Sequence, residues 1–389
     1  MRLLSIGAGV EQSYFIKKAI ELGHYVIAID GNKDSVGFKY ANESINMDIK
    51  NKSELIKVVK NLNIEGVLQV PIGNALTSIG AINDELKLIG ISEEAARNCV
   101  NKEITNRILS ENGIKCAKQI LVKDLETLES DELNFPIVIK PNNGSGSNGV
   151  KILNNCNEIK EYLETNKELE TIFIIEEFID GIEYGADFVI NKGTGKLVML
   201  REKDMTESPY KQEVAIYTVS DNESELYREA EKVILNCCHA LGIKDTLVHV
   251  DFKVNNGEIY IIELSGRPSG LMISSKLIKY AVNIDYSLLG LDIISKKDIT
   301  FNLEYDKDSY GLCFFYLEPG IIEKIDSEMF KNKNILEYEM NIKEGDYVRE
   351  VKSGRDLINR GYFIIKSNSI ESLREIKSSI LSKIIVKGD

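Results

Sequence analysis

Apolar positions at the head of the chain switch between two periods. Residues 3–6 form a short apolar run, Gly7-Ala8-Gly9 interrupts it, residues 12–22 repeat apolar positions at helical spacing up to Gly23, and residues 25–30 are apolar again. Strand, glycine turn, helix, glycine cap and strand spell a βαβ unit. A helix over 53–61 and a strand over 66–70 continue the alternation, so residues 1–98 read as a small doubly wound domain. Gly7-x-Gly9 with Asp30 imitates a dinucleotide fingerprint, but Gln12 stands where the third glycine belongs, and a structural turn without cofactor is the better reading. Further on, the pattern predicts a helix over 102–112, strands over 135–141 and 172–178, a hairpin of 186–190 and 196–201 across Gly193-Thr194-Gly195, and a long helix over 223–241 ended by Gly242. Strand and helix alternate to about residue 300, and a short mixed α+β tail follows.

The alternation is cleanest in two neighbouring runs. Val248, Val250, Phe252 and Val254 alternate with polar positions, Tyr260, Ile262 and Leu264 do likewise, and Asn255-Asn256-Gly257 lies between. With those three residues as the turn, Val254 pairs with Glu258 and Asp251 falls opposite Ile261. Glu263 is then the diagonal neighbour of Asp251 on the same face, with backbones about 7–8 Å apart. Two carboxylates so placed can share a hard cation such as Mg²⁺ together with phosphate oxygens. A turn of two or four residues would instead put the acids on opposite faces, and an ordinary hairpin with two solvated acids is the plain alternative.

Composition narrows the classes. The 389 residues are 43% hydrophobic and 28% charged, as in a folded globular protein. A net charge of −13 leaves no broad basic stripe for nucleic acid, so anionic ligands must be met by local lysines and arginines. Residues 1–6 are broken too early by Gly7-Ala8-Gly9 for a signal sequence, and no apolar run is long enough for a membrane span, so the expected location is cytoplasmic. The six cysteines show no C-x-x-C spacing, which predicts reduced, largely buried thiols. His239 is expected on a helix face and His249 toward solvent or a backbone acceptor.

A lysine at the end of a buried strand, Lys140, opens a segment rich in hydroxyl and backbone donors: Pro141-Asn142-Asn143-Gly144-Ser145-Gly146-Ser147-Asn148-Gly149. Such a loop can fold over phosphates, although Val150-Lys151 stands where a Walker A loop needs Lys-Ser/Thr. About thirty residues later Ile175-Glu176-Glu177-Phe178-Ile179-Asp180-Gly181-Ile182-Glu183 is another strand stopping at acids. In order, Lys102, Lys140 with its glycine loop, the acids from Glu176 to Glu183, and Asp251 with Glu263-x-x-x-Arg267 resemble the ATP-grasp superfamily, over nearly the whole chain. Lys343-Glu344-Gly345-Asp346 and Arg360-Gly361-Tyr362-Phe363-Ile364 are similar to the C-terminal domain of its amino-acid ligases and carboxylate–amine ligases.

The resemblance implies an α/β fold with a Rossmann-like N-terminal domain (1–98), a two-lobed ATP-grasp domain (99–300, lid lobe about 115–178) and a small α+β C-terminal domain (301–389). It assigns Lys102 and Lys140 to phosphates, and Gly144, Ser145, Gly146 and Ser147 to a lid over the β- and γ-phosphates. By the same resemblance Glu176, Glu177, Phe178 and Ile179 read adenine and Glu183 binds the ribose. Asp251 and Glu263 are then the metal acids, and Arg267 faces the transferred phosphoryl group. Two departures stand out. Ser265 replaces the asparagine that many members use as a further metal ligand, and Asp251 is one methylene shorter than the usual glutamate.

The expected activity is an ATP- and Mg²⁺- (or Mn²⁺-) dependent joining of a small-molecule carboxylate to an amine through an acyl phosphate, releasing ADP and phosphate. Arg201, Lys203 and Lys211 lie where similar enzymes border the acceptor pocket and are candidates for a substrate carboxylate. No nucleic-acid or membrane partner is expected, and a homodimer is compatible. The rivals are a carboxylating or purine-biosynthesis-type ligase, a non-catalytic ATP-binding regulatory protein, to which Ser265 leaves room, and, more remotely, a dehydrogenase.

Overall fold

In the computed structural model, which describes residues 1–122, 133–143, 149–166, 172–207, 211–297, 299 and 301–388, four sheets carry the chain. The first is parallel, in the order Glu43–Asn46, Tyr25–Asp30, Arg2–Ile6, Gly66–Val67. Its strands Arg2–Ile6, Tyr25–Asp30 and Gly66–Val67 are largely buried, and the helix Val10–Glu21 lays Phe15, Ile16 and Ala19 against it. Asp30 ends the strand Tyr25–Asp30. Its carboxylate accepts the Ala8 N–H at 2.7 Å and the Asn32 N–H at 2.8 Å, closing the glycine turn, while Gln12 packs over Gly7.

A small antiparallel sheet of Gln119–Val122, Phe173–Glu177, Ile137–Pro141 and Lys151–Leu153 forms the second lobe. It faces an eight-stranded antiparallel sheet in the order Glu258–Ser265, Thr246–Asn255, Ile182–Asn191, Thr194–Met205, Glu213–Thr218, Ser309–Phe314, Gly361–Ser367, Ile335–Met340. The tail expected as a separate C-terminal unit thus adds three strands to this sheet, and only Gly320–Ile325, Tyr347–Val348 and Ile384–Lys387 form a sheet of their own.

The two-residue period sorts this large sheet into a dry face and a charged one. Tyr184, Ala186, Phe188, Ile190, Val248, Val250 and Phe252 bury against Tyr227, Ala230, Ile234, Cys237 and Cys238 of the helix Glu225–Leu241. The opposite face holds Glu183, Asp187, Arg201, Lys203, His249 and Asp251. Both hairpins on this sheet turn through two left-handed residues, Lys192-Gly193 and Asn256-Gly257, and not through three. The expected register is therefore wrong at its start: Asn255 pairs with Glu258, and a regular ladder would set Asp251 opposite Ile262. A bulge between Asp251 and Phe252 changes this, because Phe252 pairs with Ile261 and Asp251 pairs directly with Glu263. Ile261 and Leu264 stay in the core, whereas Ile262 and Glu263 both line the cleft.

Gly185 sits between Asp251 and Arg201 in one row across the sheet. A Cβ there would lie 2.7 Å from Arg201 Nε and 2.8 Å from its Cζ, so the missing side chain is the space the guanidinium occupies. Gly185→Ala is expected to displace Arg201 and lower stability by about 1–3 kcal/mol in urea unfolding, as overpacking does. A loss below about 0.5 kcal/mol would mean that Arg201 relocates freely, as at an unconstrained position.

Candidate functional site

The two facing sheets enclose a cleft of about 420 Å³, large enough for a nucleotide. Apolar side chains of Val138, Val150, Ile152, Phe178, Met205 and Ile262 wall it, and Lys102, Lys140, Glu176, Glu183, Lys203, Lys211, Asp251 and Glu263 bring charge to it. Arg267 lines a narrower recess that shares Lys102, Glu176 and Glu263 with the cleft. Glu177 and Ile179 also line the cleft, and Ser265 lines the recess. Gly144, Ser145, Gly146 and Ser147 lie outside the described residues.

On the small lobe, strand ends aim the polar groups. Lys140 Nζ lies 2.5 Å from Glu176 Oε2, and Gln119 Nε2 donates to the other carboxylate oxygen, so Glu176 is already held from two sides. Each oxygen keeps a second lone pair for another donor. Glu177 accepts the Lys118 N–H at 3.0 Å, and Lys253 donates to the Ile179 carbonyl at 2.8 Å while lying over the Phe178 ring. Lys102 starts a helix whose N-cap, Asn101, accepts the Ile104 N–H. Burial lowers the Lys102 pKa, with Glu263 pulling the other way.

On the large sheet, two candidates prove to be internal counter-ions. Arg201, expected to be available to a substrate carboxylate, is 0% exposed and pairs with Asp187, while its Nη2 lies 2.9 Å from His249 Nδ1. Lys203, 7% exposed, lies 2.7 Å from both Glu213 and Asp251 and 3.7 Å from Glu183. Neither presents its charge to solvent. His249 is likewise buried at 8% exposure, and its ring meets the side chains of Arg201 and Asp251 where solvent or a backbone acceptor was expected. Because arginine only donates, His249 Nδ1 accepts, the ring proton sits on Nε2, and that atom faces Asp251 Oδ2 at 3.6 Å. Burial alone would raise the Asp251 carboxyl, but Lys203, His249 and Arg201 outweigh it and hold it well below the usual range. Burial raises Glu183, with Lys203 offsetting part of the effect.

Asp251 and Glu263, with Ser265 opposite His249, offer only oxygen to a cation, the donor set of a hard metal. Among the described residues no group of three or more His, Cys, Asp or Glu is placed to hold one, so its other ligands would come from phosphate or water. Arg267 Nη1 donates to the Pro268 carbonyl at 2.9 Å, and its buried Nε has no hydrogen-bond partner. Burial lowers the Arg267 pKa against the pull of Glu263, Asp251, Asp187 and Glu11.

Asp187, Glu213, Gln119 and Glu11 escape sequence reasoning. Asp187 interrupts the apolar run 184–190 and Glu213 opens the apolar strand Glu213–Thr218, the one signal that marks them as buried and paired. Ser269 Oγ donates to Asp187 at 2.6 Å, tying the segment after Arg267 to the sheet. Glu11, beyond the first glycine turn, accepts the Met272 N–H at 3.3 and 3.4 Å, and burial pushes its carboxyl up to about 7.

Residues 133–276 match the family model of the ATP-grasp domain. D-alanine–D-alanine ligase A of Bacillus cereus is 28% identical over 283 residues, which are 68% of this chain and 93% of that protein. A formate-dependent phosphoribosylglycinamide formyltransferase of Prochlorococcus marinus subsp. pastoris is 26% identical over 395 positions, 97% of each chain. The L-amino acid ligase structure from Bacillus licheniformis covers 100% of this chain and 99% of that one with a TM-score of 0.84 at 20% identity, a shared fold.

The Glu11 carboxyl, raised from an ordinary 4.5 to about 7, binds its proton more tightly in the folded state. Folding stability therefore falls as pH rises from about 4.5 to about 7 and loses nothing more from this group above it. Glu11→Gln should be more stable than the wild type above pH 7, the gap closing toward pH 4.5 in urea titrations. A gap independent of pH would remove Glu11 as the titrating group.

Proposed function

Because this chain is an ATP-grasp enzyme of α/β fold, we propose that it activates a small-molecule carboxylate as an acyl phosphate and joins it to an amine, releasing ADP and phosphate. The observation that supports this most is the placement of Asp251 directly opposite Glu263 in the same cleft as two buried lysines, beside a recess that holds Arg267. Glu176, Glu177, Phe178 and Ile179 would hold adenine and Glu183 the ribose. Lys102 and Lys140 would meet phosphate oxygens, the latter while bridging to Glu176. Asp251 and Glu263, with Ser265 at most a weak third ligand, would hold Mg²⁺ or Mn²⁺, which when bound neutralises phosphate charge. Arg267, with a free buried Nε–H, would stabilise the charge that develops as the phosphoryl group moves. The apolar walls keep water from the acyl phosphate.

For the acceptor pocket, Lys211 lines the cleft and is the candidate to hold a substrate carboxylate, since Arg201 and Lys203 are consumed by internal acids. The proposal includes a cytoplasmic location; no described helix is long and apolar enough to cross a membrane. A second reading, a carboxylating or purine-type ligase, has the full-length similarity to the formate-dependent transferase in its favour. ADP release measured over a panel of amino acids, formate and bicarbonate, with mass spectrometry of products, separates the two. Turnover that requires an amino acid supports the first reading, and turnover with formate or bicarbonate in place of one supports the second.

Arg267→Lys is expected to keep nucleotide affinity and lose about 10²–10³-fold in turnover, because a preorganised planar donor is replaced by a point charge. ADP release at saturating substrates beside an ATP titration checks this. A fall of less than about threefold would make Arg267 structural.

A further inference from the structure

Lys203 holds a position that the proposed reaction does not use. Its strand, Thr194–Met205, carries it two residues beyond Arg201 onto the charged face, where its ammonium meets Glu213 and Asp251 at 2.7 Å each and Glu183 at 3.7 Å. Those three acids belong to three different strands of the sheet. One of them is the proposed metal ligand and another the proposed ribose acid. Arg201 is paired with Asp187 and stands 4.0 Å from Asp251, and Lys253 neighbours Glu183 on the same face, but among the described residues Lys203 is the cation that lies within 4 Å of all three carboxylates. Glu213 Oε2 is buried and makes no hydrogen bond.

We propose that Lys203 is a tethered counter-ion that holds Asp251, Glu183 and Glu213 together before the nucleotide arrives and competes with a divalent cation for Asp251. Two consequences of opposite sign follow. A polyphosphate without metal meets three acids, and Lys203 is what offsets part of their repulsion. A divalent cation without nucleotide must share Asp251 with the lysine, so Lys203 weakens its binding. Lys203 therefore favours joint arrival of cation and nucleotide over either alone. This rests on the nucleotide reading of the cleft, but its cation arm does not require that ATP bind.

The test compares the wild type with Lys203→Met, using Mn²⁺ alone, read by electron paramagnetic resonance, and ATP in chelator, read by calorimetry. Removing the lysine should tighten Mn²⁺ by at least about fivefold and weaken metal-free ATP by at least about tenfold. A packing role would move both in the same direction or neither, so Mn²⁺ affinity that is unchanged or lower in a folded variant overturns the proposal. Should the single variant fail to fold, Lys203→Met with Glu213→Gln removes one charge of each sign. Both affinities should then stay within about threefold of wild type, and a larger loss of Mn²⁺ affinity overturns the proposal. Wild-type protein that binds no ATP, with or without Mn²⁺, would sink the nucleotide reading while the Mn²⁺ comparison still decides the role of Lys203.

Discussion

Charge buried on one face of an antiparallel sheet is the constraint on which this molecule turns. Asp187, Arg201, Lys203, His249 and Asp251 sit at alternate positions of adjacent strands, with Ala186, Phe188, Leu200, Val248, Val250 and Phe252 between them in the core. None of these charges is affordable singly, since an unpaired buried ion is strongly destabilising. The solution is a connected set: Ser269 to Asp187, Asp187 to Arg201, Arg201 to His249, His249 beside Asp251, and Asp251 to Lys203. Removing any member leaves its neighbour uncompensated, so the network fixes the carboxylate proposed to hold the metal. Gly185 is part of that solution because only an absent side chain leaves room for the Arg201 guanidinium.

The same network reaches outward to the remaining parts of the chain. Ser269 anchors the segment that follows Arg267, Ser274 donates back to the Ser269 carbonyl at 2.6 Å, and Glu11 of the first domain receives Met272. Leu271 and Met272 both take left-handed backbone, φ 50° and 60°, a conformation that costs energy for side chains of this kind and is held here by those contacts. The C-terminal strands close the other side. Glu337 gathers Lys276, Tyr280 and Tyr362, and although burial opposes its charge, the bonds from Lys276 and Tyr362 hold its carboxyl down at about 2. The segment that follows Arg267 is thereby held by contacts that the first domain, the central sheet and the C-terminal strands supply together.

Much of this was legible in the residues. The parallel N-terminal unit followed from the switch between periods of two and 3.6, and the acids at strand ends followed from apolar runs that stop abruptly at charge. The hairpin register was not legible. Asn256 accepts a left-handed backbone, so Asn-Gly alone makes the turn, and the missing residue is recovered four positions later by a bulge at Ile262. Bulges answer to packing, here the need to keep both Ile261 and Leu264 in the core, and a local pattern does not report that. Arg201 and Lys203 misled for a related reason: a strand read alone shows basic side chains open to a substrate carboxylate, and their partners Asp187, Glu213 and Asp251 come from three other strands. The C-terminal strands joined the central sheet through pairings such as Ala215 with Cys313 and Tyr217 with Gly311, a separation at which no periodicity in the sequence carries information.

The account stands on one geometric claim, that the bulged hairpin turns Asp251 and Glu263 toward a common cation at the phosphate end of the cleft. A crystal structure with a non-hydrolysable ATP analogue and Mn²⁺, with manganese located by its anomalous signal, tests it directly. The account predicts an anomalous peak coordinated by both carboxylates and by phosphate oxygens, with adenine between the two lobes beside Glu176 and Ile179. A manganese ion bound elsewhere, or a nucleotide lying outside the cleft, would contradict it.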